Sequence, residues 1–198
     1  MPDDLRILHL LRCIGASSPT RLADLAGLEV AELESHLIDL GARGLVVRSG
    51  GGWSVTAEGK RIDNEAVAKE LDDTGCRAAV EAAYGRFERL NPLALEACTA
   101  WQLREIDGVR RVNDHLDRRY DTQVLRKLGN VERLGQEVCN DLSAILDRFD
   151  GYGDRLAEAA NRALAGEWEY VSEHWDSFHT VWFQLHEDLL VTIGRPRT

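Results

Sequence analysis

The chain has 198 residues and a formal net charge of -10 at pH 7. That is enough length for one large core or two small ones, but the balance is too acidic for a general polyanion binder, because phosphate binding gains from lysines and arginines that displace counterions. No uncharged apolar run of about 20 residues offers a membrane span, and "MPDDLRILHLLRCIGA" is acidic at its front without a long apolar stretch, so it does not read as a signal peptide. Cys13, Cys76, Cys98 and Cys139 lie far apart with no C-x-x-C pair, which argues against a zinc ribbon or thioredoxin motif and for reduced thiols in a cytoplasmic protein.

In chain order, "DLRILHLLRCIG" places Leu5, Ile7, Leu8, Leu11 and Ile14 at helical spacings, and "ASSPT" ends that helix with a proline among cap-forming residues. A short helix over Leu22, Ala23, Leu25 and Ala26, a turn at Gly27, and a longer helix carrying Val30, Leu33, Leu37 and Leu40 follow. "GLVVR" and "WSVT" read as two short strands joined through Gly50, Gly51 and Gly52, and Thr56 caps a further helix through "AEGKR". The stretches "RLADLAGLEVAELESHLIDLGARGLVVR" and "GGWSVTAEGKR" resemble the winged helix-turn-helix of MarR-like bacterial regulators. The resemblance covers about a third of the chain and implies a DNA-binding domain over residues 1–64 with a short β-hairpin wing.

In such domains the second helix of the motif enters the major groove and presents its exposed side chains to base edges and phosphates. Here those positions are Glu29, Glu32, Glu34, Ser35, His36, Ile38 and Asp39, an acidic set. Ser35 and His36 are the candidates for base contacts. Arg21, Arg43, Arg48, Lys60 and Arg61 are the candidate phosphate contacts flanking that helix. A winged helix that docks on a protein instead of double-stranded DNA is the alternative.

From about Glu65 the strand signals stop, and residues 65–198 read as an all-α bundle large enough to hold an interior site. "AVAKELDDTGCRAAVEAAYGRFERL" reads as one long helix or as two with Gly75 the weak point; another restarts at Asn91 with Pro92 in its first turn. "REIDGVRRVNDHLDRRYD" is the most polar, least periodic stretch and is expected as a loop, with Asn113 or Asp117 capping the next helix. Helices over "DTQVLRKL", "VERLGQEVCNDLSAILDRF" and "YGDRLAEAANRALAGE" are expected to be separated at Gly129–Asn130 and at "DGYG". The fold class is therefore mainly α: a winged helix-turn-helix followed by an all-α bundle. "FERLNPLALEACTAWQLR", "NDHLDRRYD" and "FHTVWFQLHEDLL" resemble the helical domain that accompanies such winged helices in a group of actinobacterial regulators. A weaker likeness is to the ligand-binding bundle of FadR-type GntR regulators, from which the histidine spacing departs.

The closing helix, "WDSFHTVWFQLHEDLL", carries an apolar arc of more than half its circumference, with His179 and His186 inside the arc and Asp176, Ser177, Thr180, Gln184, Glu187 and Asp188 opposite. Two histidines seven residues apart stand about 10.5 Å apart along a helix axis and do not share one metal, so neither a metal nor a cofactor is expected. Trp101, Asp114, His115, Tyr120, Trp175, His179, Trp182, Phe183 and His186 are instead the candidates to line a pocket for a small-molecule effector. No G-x-S-x-G elbow, phosphate-cradling glycine loop or H-E-x-x-H points to an enzyme. The expected partners are double-stranded DNA, a small-molecule effector and a second copy in a homodimer, and no membrane.

Overall fold

The computed structural model describes residues 3–196. The chain divides into two compact units, one made of the described residues of Met1–Arg77 and Glu187–Thr198, the other of Ala78–His186. The division falls inside the last helix, so that helix contributes residues to both.

The first unit opens with α1 (Asp3–Ile14), α2 (Pro19–Ala26) and α3 (Val30–Ala42), followed by a hairpin of β1 (Val46–Ser49) and β2 (Gly52–Val55) and by α4 (Ala57–Thr74). Its local signals work as read. Ser18 accepts a hydrogen bond from the Arg21 amide at the start of α2, and Gly27 ends that helix in the left-handed region. Thr56 accepts from the Gly59 amide at the start of α4, which runs on to Gly75. Gly50 and Gly51, both at positive φ, make the tight turn that matches the twist of the paired strands. Ile7, Leu8, Leu11, Leu22, Leu33, Leu37, Leu40 and Val46 form the core, and Trp53, Val55 and Ile62 pack on its edge. Gly59 is a point of close approach: a Cβ there would overlap the Leu45 carbonyl oxygen and lie 2.7 Å from Val55 Cγ1.

Beneath this core lies a buried ionic cluster. The His9 ring, on α1, has Nδ1 3.0 Å from Asp63 Oδ1 of α4 and Nε2 3.1 Å from Asp188 Oδ1 of the last helix. Arg12 Nη1 donates to Asp63 Oδ2 at 3.0 Å and to Asn64 Oδ1 at 2.7 Å. The Cys13 Sγ is 3.5 Å from His9 Nε2. Thr192 Oγ1 donates to Asp188 Oδ1 at 3.2 Å. A histidine, an arginine and two carboxylates thus share a space that water barely reaches, an arrangement that is costly to break on one side only.

The second unit contains α5 (Arg77–Gln102, whose first residue belongs to the first unit), a hairpin of β3 (Leu103–Ile106) and β4 (Val109–Val112), α6 (Arg118–Ser143), a short 3-10 turn (Asp147–Phe149), α7 (Tyr152–Leu164), α8 (Glu169–Ser172) and most of α9 (Phe178–Ile193). Four expectations are corrected. The all-α reading of residues 65–198 and the loop reading of "REIDGVRRV" give way to the β3–β4 hairpin, whose turn residues Asp107 and Gly108 both have positive φ; Asp-Gly is a turn pair that closes two-residue hairpins. The restart at Asn91 does not occur, because α5 runs through Pro92. The break at Gly129–Asn130 is absent, because α6 is continuous there. In both helices an apolar face continues across the weak residue, through Phe87, Ala94 and Cys98 in α5 and through Leu128, Val131 and Gly135 in α6. Burial of such a face outweighs a local propensity penalty of about 1–3 kcal/mol. Among the described residues, no helix is long and apolar enough to cross a membrane.

Candidate functional site

On the first unit the surface of interest is α3 with the β1–β2 hairpin. Ser35 is exposed on α3, and its neighbours Glu29, Glu32, Glu34 and Asp39 are exposed too, together with Ile38 at 62%. His36 is half-buried, with Nδ1 2.6 Å from Asp4 Oδ1, and Arg43 donates to the other oxygen of the same carboxylate at 3.2 Å. Arg61 bridges Glu58 and Glu65 along the surface of α4. Exposed pairs of this kind are worth about 0–1 kcal/mol, so they restrain Arg43 and Arg61 only weakly. Arg48 on β1 and Lys60 on α4 are exposed and make no ion pair among the described residues. Arg21 is half-buried in the first turn of α2.

On the second unit the site is built around His115. The segment from Asn113 to Asp117 joins β4 to α6, and Asp117 caps α6 by accepting from the Arg119 and Tyr120 amides. His115 itself sits at φ 57°, in the left-handed region that costs an ordinary residue energy, and its amide donates to Asn113 Oδ1 at 3.3 Å. Its ring packs against Trp101, at 4.4 Å between centroids, and Trp168, at 5.3 Å, and the two indoles meet each other edge to face at 5.8 Å. Asn113 is buried and spends both amide hydrogens, one on the Trp101 carbonyl at 3.1 Å and one on Asp121 Oδ1 at 2.8 Å. With those hydrogens committed, the contact of 3.3 Å between His115 Nδ1 and Asp121 Oδ2 is a donation from the ring to the carboxylate. A buried carboxylate holding Nδ1–H fixes the tautomer and leaves the lone pair on Nε2. Nε2 has no hydrogen-bond partner among the described residues. The cluster therefore offers one oriented acceptor beside two indole faces, which suits a planar ligand carrying a donor.

The other expected ligand residues are placed differently. Asp114 Oδ1 accepts from the Leu116 amide at 3.1 Å and serves the turn. The Tyr120 hydroxyl donates to the Ala100 carbonyl at 2.9 Å and fastens α6 to α5. Trp182 is core: it stacks on Phe87 at 4.6 Å and donates from Nε1 to Asn91 Oδ1 at 3.0 Å. His186 lies against Phe87, 5.2 Å between centroids. Trp175 is exposed beside His174, and Phe183 is exposed at 47%.

His179 is half-buried on α9. The helix starts at Phe178 rather than at Trp175, and along residues 175–190 the expected division between apolar and polar positions is reversed at several places, since Ser177, Gln184 and Asp188 are buried while Trp175 and Phe183 are exposed. The cause is that the polar groups have partners. Gln184 Oε1 accepts from Arg155 Nη2 at 2.6 Å, and Asp188 meets His9.

Sequence reasoning placed Asp121 near His115 only as a neighbour in the chain, read Asn113 only as a cap, and missed Trp168 as well as the His9, Asp63 and Asp188 cluster. The one local signal was the spacing of His9 and Cys13, which places both on one face of α1. Comparison with known proteins gives no match to any family model, curated protein or solved structure.

Proposed function

We propose that the chain is a cytoplasmic, dimeric DNA-binding regulator whose second unit senses a small molecule at His115. The observation that carries the DNA reading is the bridge between Ser17, in the connection from α1 to α2, and Trp53 of β2. The Ser17 amide donates to the Trp53 carbonyl at 3.0 Å and the Trp53 amide to the Ser17 carbonyl at 2.8 Å. Three helices closed by a hairpin that also pairs with the segment before the second helix resemble a winged helix-turn-helix of the MarR-like kind, with α3 as the recognition helix and β1–β2 as the wing. Arg48 and Lys60 supply cations for phosphates beside α3, and Ser35 supplies a base-reading hydroxyl.

The effector reading rests on the oriented Nε2 of His115 beside two tryptophans, a combination of apolar surface and one fixed polar group common in small-molecule sites. An effector acts by binding one spacing of the two recognition helices more tightly than the other.

A second reading, docking on a basic protein, has its own observation: α3 presents Glu29, Glu32, Glu34 and Asp39 around the exposed Ile38. Repeated selection of bound duplexes from a random pool separates the two. The DNA reading predicts an enriched, inverted-repeat sequence whose preference at one position changes in Ser35→Ala. A pool that stays unenriched favours protein docking.

A further inference from the structure

We infer that His9, Cys13 and Asp188 form a binding site for one divalent transition-metal cation in the first unit, with zinc the best fit to the donor set and Asp63 holding the imidazole from behind. The three candidate ligand atoms, His9 Nε2, Cys13 Sγ and one Asp188 oxygen, all lie within 4.8 Å of one another, and all three residues are buried. No ion is present.

The spacings suit a tetrahedral ion. Zinc bonds of about 2.0–2.1 Å to nitrogen, 2.3 Å to sulfur and 2.0–2.2 Å to oxygen put a nitrogen about 3.5 Å from a sulfur and about 3.4 Å from an oxygen across tetrahedral angles. His9 Nε2 stands 3.5 Å from Cys13 Sγ and 3.1 Å from Asp188 Oδ1. These two edges lie within a few tenths of an ångström of that geometry, and the third, from Cys13 Sγ to Asp188, is no longer than 4.8 Å.

The spacing along the chain agrees. His9 and Cys13 are one helical turn apart on α1, the i,i+4 placement by which a helix delivers two ligands to one ion. Asp188 reaches the same point from α9. What surrounds the ligands also matches a metal centre. Histidine ligands commonly donate the far ring N–H to a carboxylate, which orients the ring and raises the basicity of the ligating nitrogen. Asp63 is placed for that role at 3.0 Å from Nδ1 and is itself fixed by Arg12.

Loading replaces a proton on His9 Nε2 and one on Cys13 with one divalent cation. The formal charge of the cluster is then the same in both states, because two protons and one divalent ion carry equal charge. Three protein ligands leave a fourth position on a tetrahedral ion. The site is independent of whether α3 reads DNA or protein.

The test uses the reduced, full-length chain stripped with a chelator and titrated with cobalt(II), then zinc. The expected result is one cobalt per chain with a thiolate-to-cobalt charge-transfer band, displaced by one zinc. Cys13→Ser should abolish the band, and Cys76→Ser should leave band and affinity unchanged. Asp63→Asn should keep the band and weaken binding about 10- to 100-fold. X-ray absorption of the zinc-loaded unmodified chain needs no variant and should show one sulfur at about 2.3 Å with nitrogen or oxygen neighbours at about 2.0–2.2 Å. Failure to bind stoichiometric metal, a zinc shell without sulfur, or a cobalt band that survives Cys13→Ser overturns the inference.

Discussion

His9 is where a single proton has the most consequence. Burial disfavours its charged form, but the electrostatic influence of Cys13 and Asp188 and the hydrogen bonds the ring donates to Asp188 and Asp63 outweigh that and hold the imidazole well above its ordinary value of 6.5. A group whose folded pKa is raised contributes stability that is fully present below its unfolded value and lost as pH rises through the folded value. The metal-free chain is therefore expected to lose this contribution as pH climbs above about 6.5 and through the raised value. Melting of chelated protein as a function of pH, compared with His9→Gln, checks it: the difference between the two curves should shrink toward high pH, and a difference that grows would contradict the sign. Asp63→Ala strips the imidazolium and Arg12 of their shared carboxylate and should cost about 3–5 kcal/mol, read by denaturant unfolding. The thiols make a separate prediction. Burial pushes Cys98 and Cys139 up to about 12 and raises Cys13 as well, whereas Cys76 is only half-buried. Thiolate fraction and access govern alkylation, so brief treatment of the native chain should label Cys76 first, and early labelling of Cys13 would contradict the buried cluster.

At the scale of elements, contacts that local sequence does not announce govern several outcomes. Gly59 permits α4 to start against the Leu45 carbonyl. Gly59→Ala should therefore destabilise the chain by about 1–3 kcal/mol through overpacking, measured by chemical unfolding; a neutral result would mean that the helix end can shift.

The caps were legible because they are written in a few neighbouring residues: Ser18 before Pro19, Thr56 before "AEG", Asp117 before α6. The β3–β4 hairpin was equally local, since Asp107–Gly108 is a turn signal, but the charged strands "REI" and "VRR" hid it. Pro92 and Gly129 misled for the opposite reason. Their local signals are real, and the continuous buried faces of α5 and α6 override them.

The sites divide the same way. His115 stood out as a histidine in a polar loop, whereas Asp121 as its orienting partner depends on the fold of that loop. The His9 cluster was illegible beyond the spacing to Cys13, because Asp63 and Asp188 come from other helices. On α9, counting apolar residues around the helix put Asp188 on the solvent side; its burial follows from a cation on α1 that periodicity does not register.

For the whole molecule, the charge of -10 sets the terms on which it meets a polyanion. Such a chain gains little from general attraction to DNA, so on the proposed reading binding would come from a small local set of cations and from base contacts. Each neutralised phosphate contributes about -0.9 to the slope of log affinity against log salt. On that reading Arg48 and Lys60, with the half-buried Arg21 and with Arg43 and Arg61 released from weak surface pairs, would limit the phosphate contacts to a handful. Replacing Arg48 by Ala should weaken binding to all sequences alike and flatten the slope by about one.

The measurement that bears most directly on this account is the equilibrium affinity of the full chain for a labelled duplex from upstream of its own coding sequence, against an unrelated duplex of equal length, between about 50 and 200 mM salt. The account predicts saturable binding that favours the upstream duplex, with a shallow salt dependence that becomes shallower by about one in Arg48→Ala. Absence of binding to either duplex at about 50 mM salt, or equal binding to both with a steep salt dependence, would contradict it.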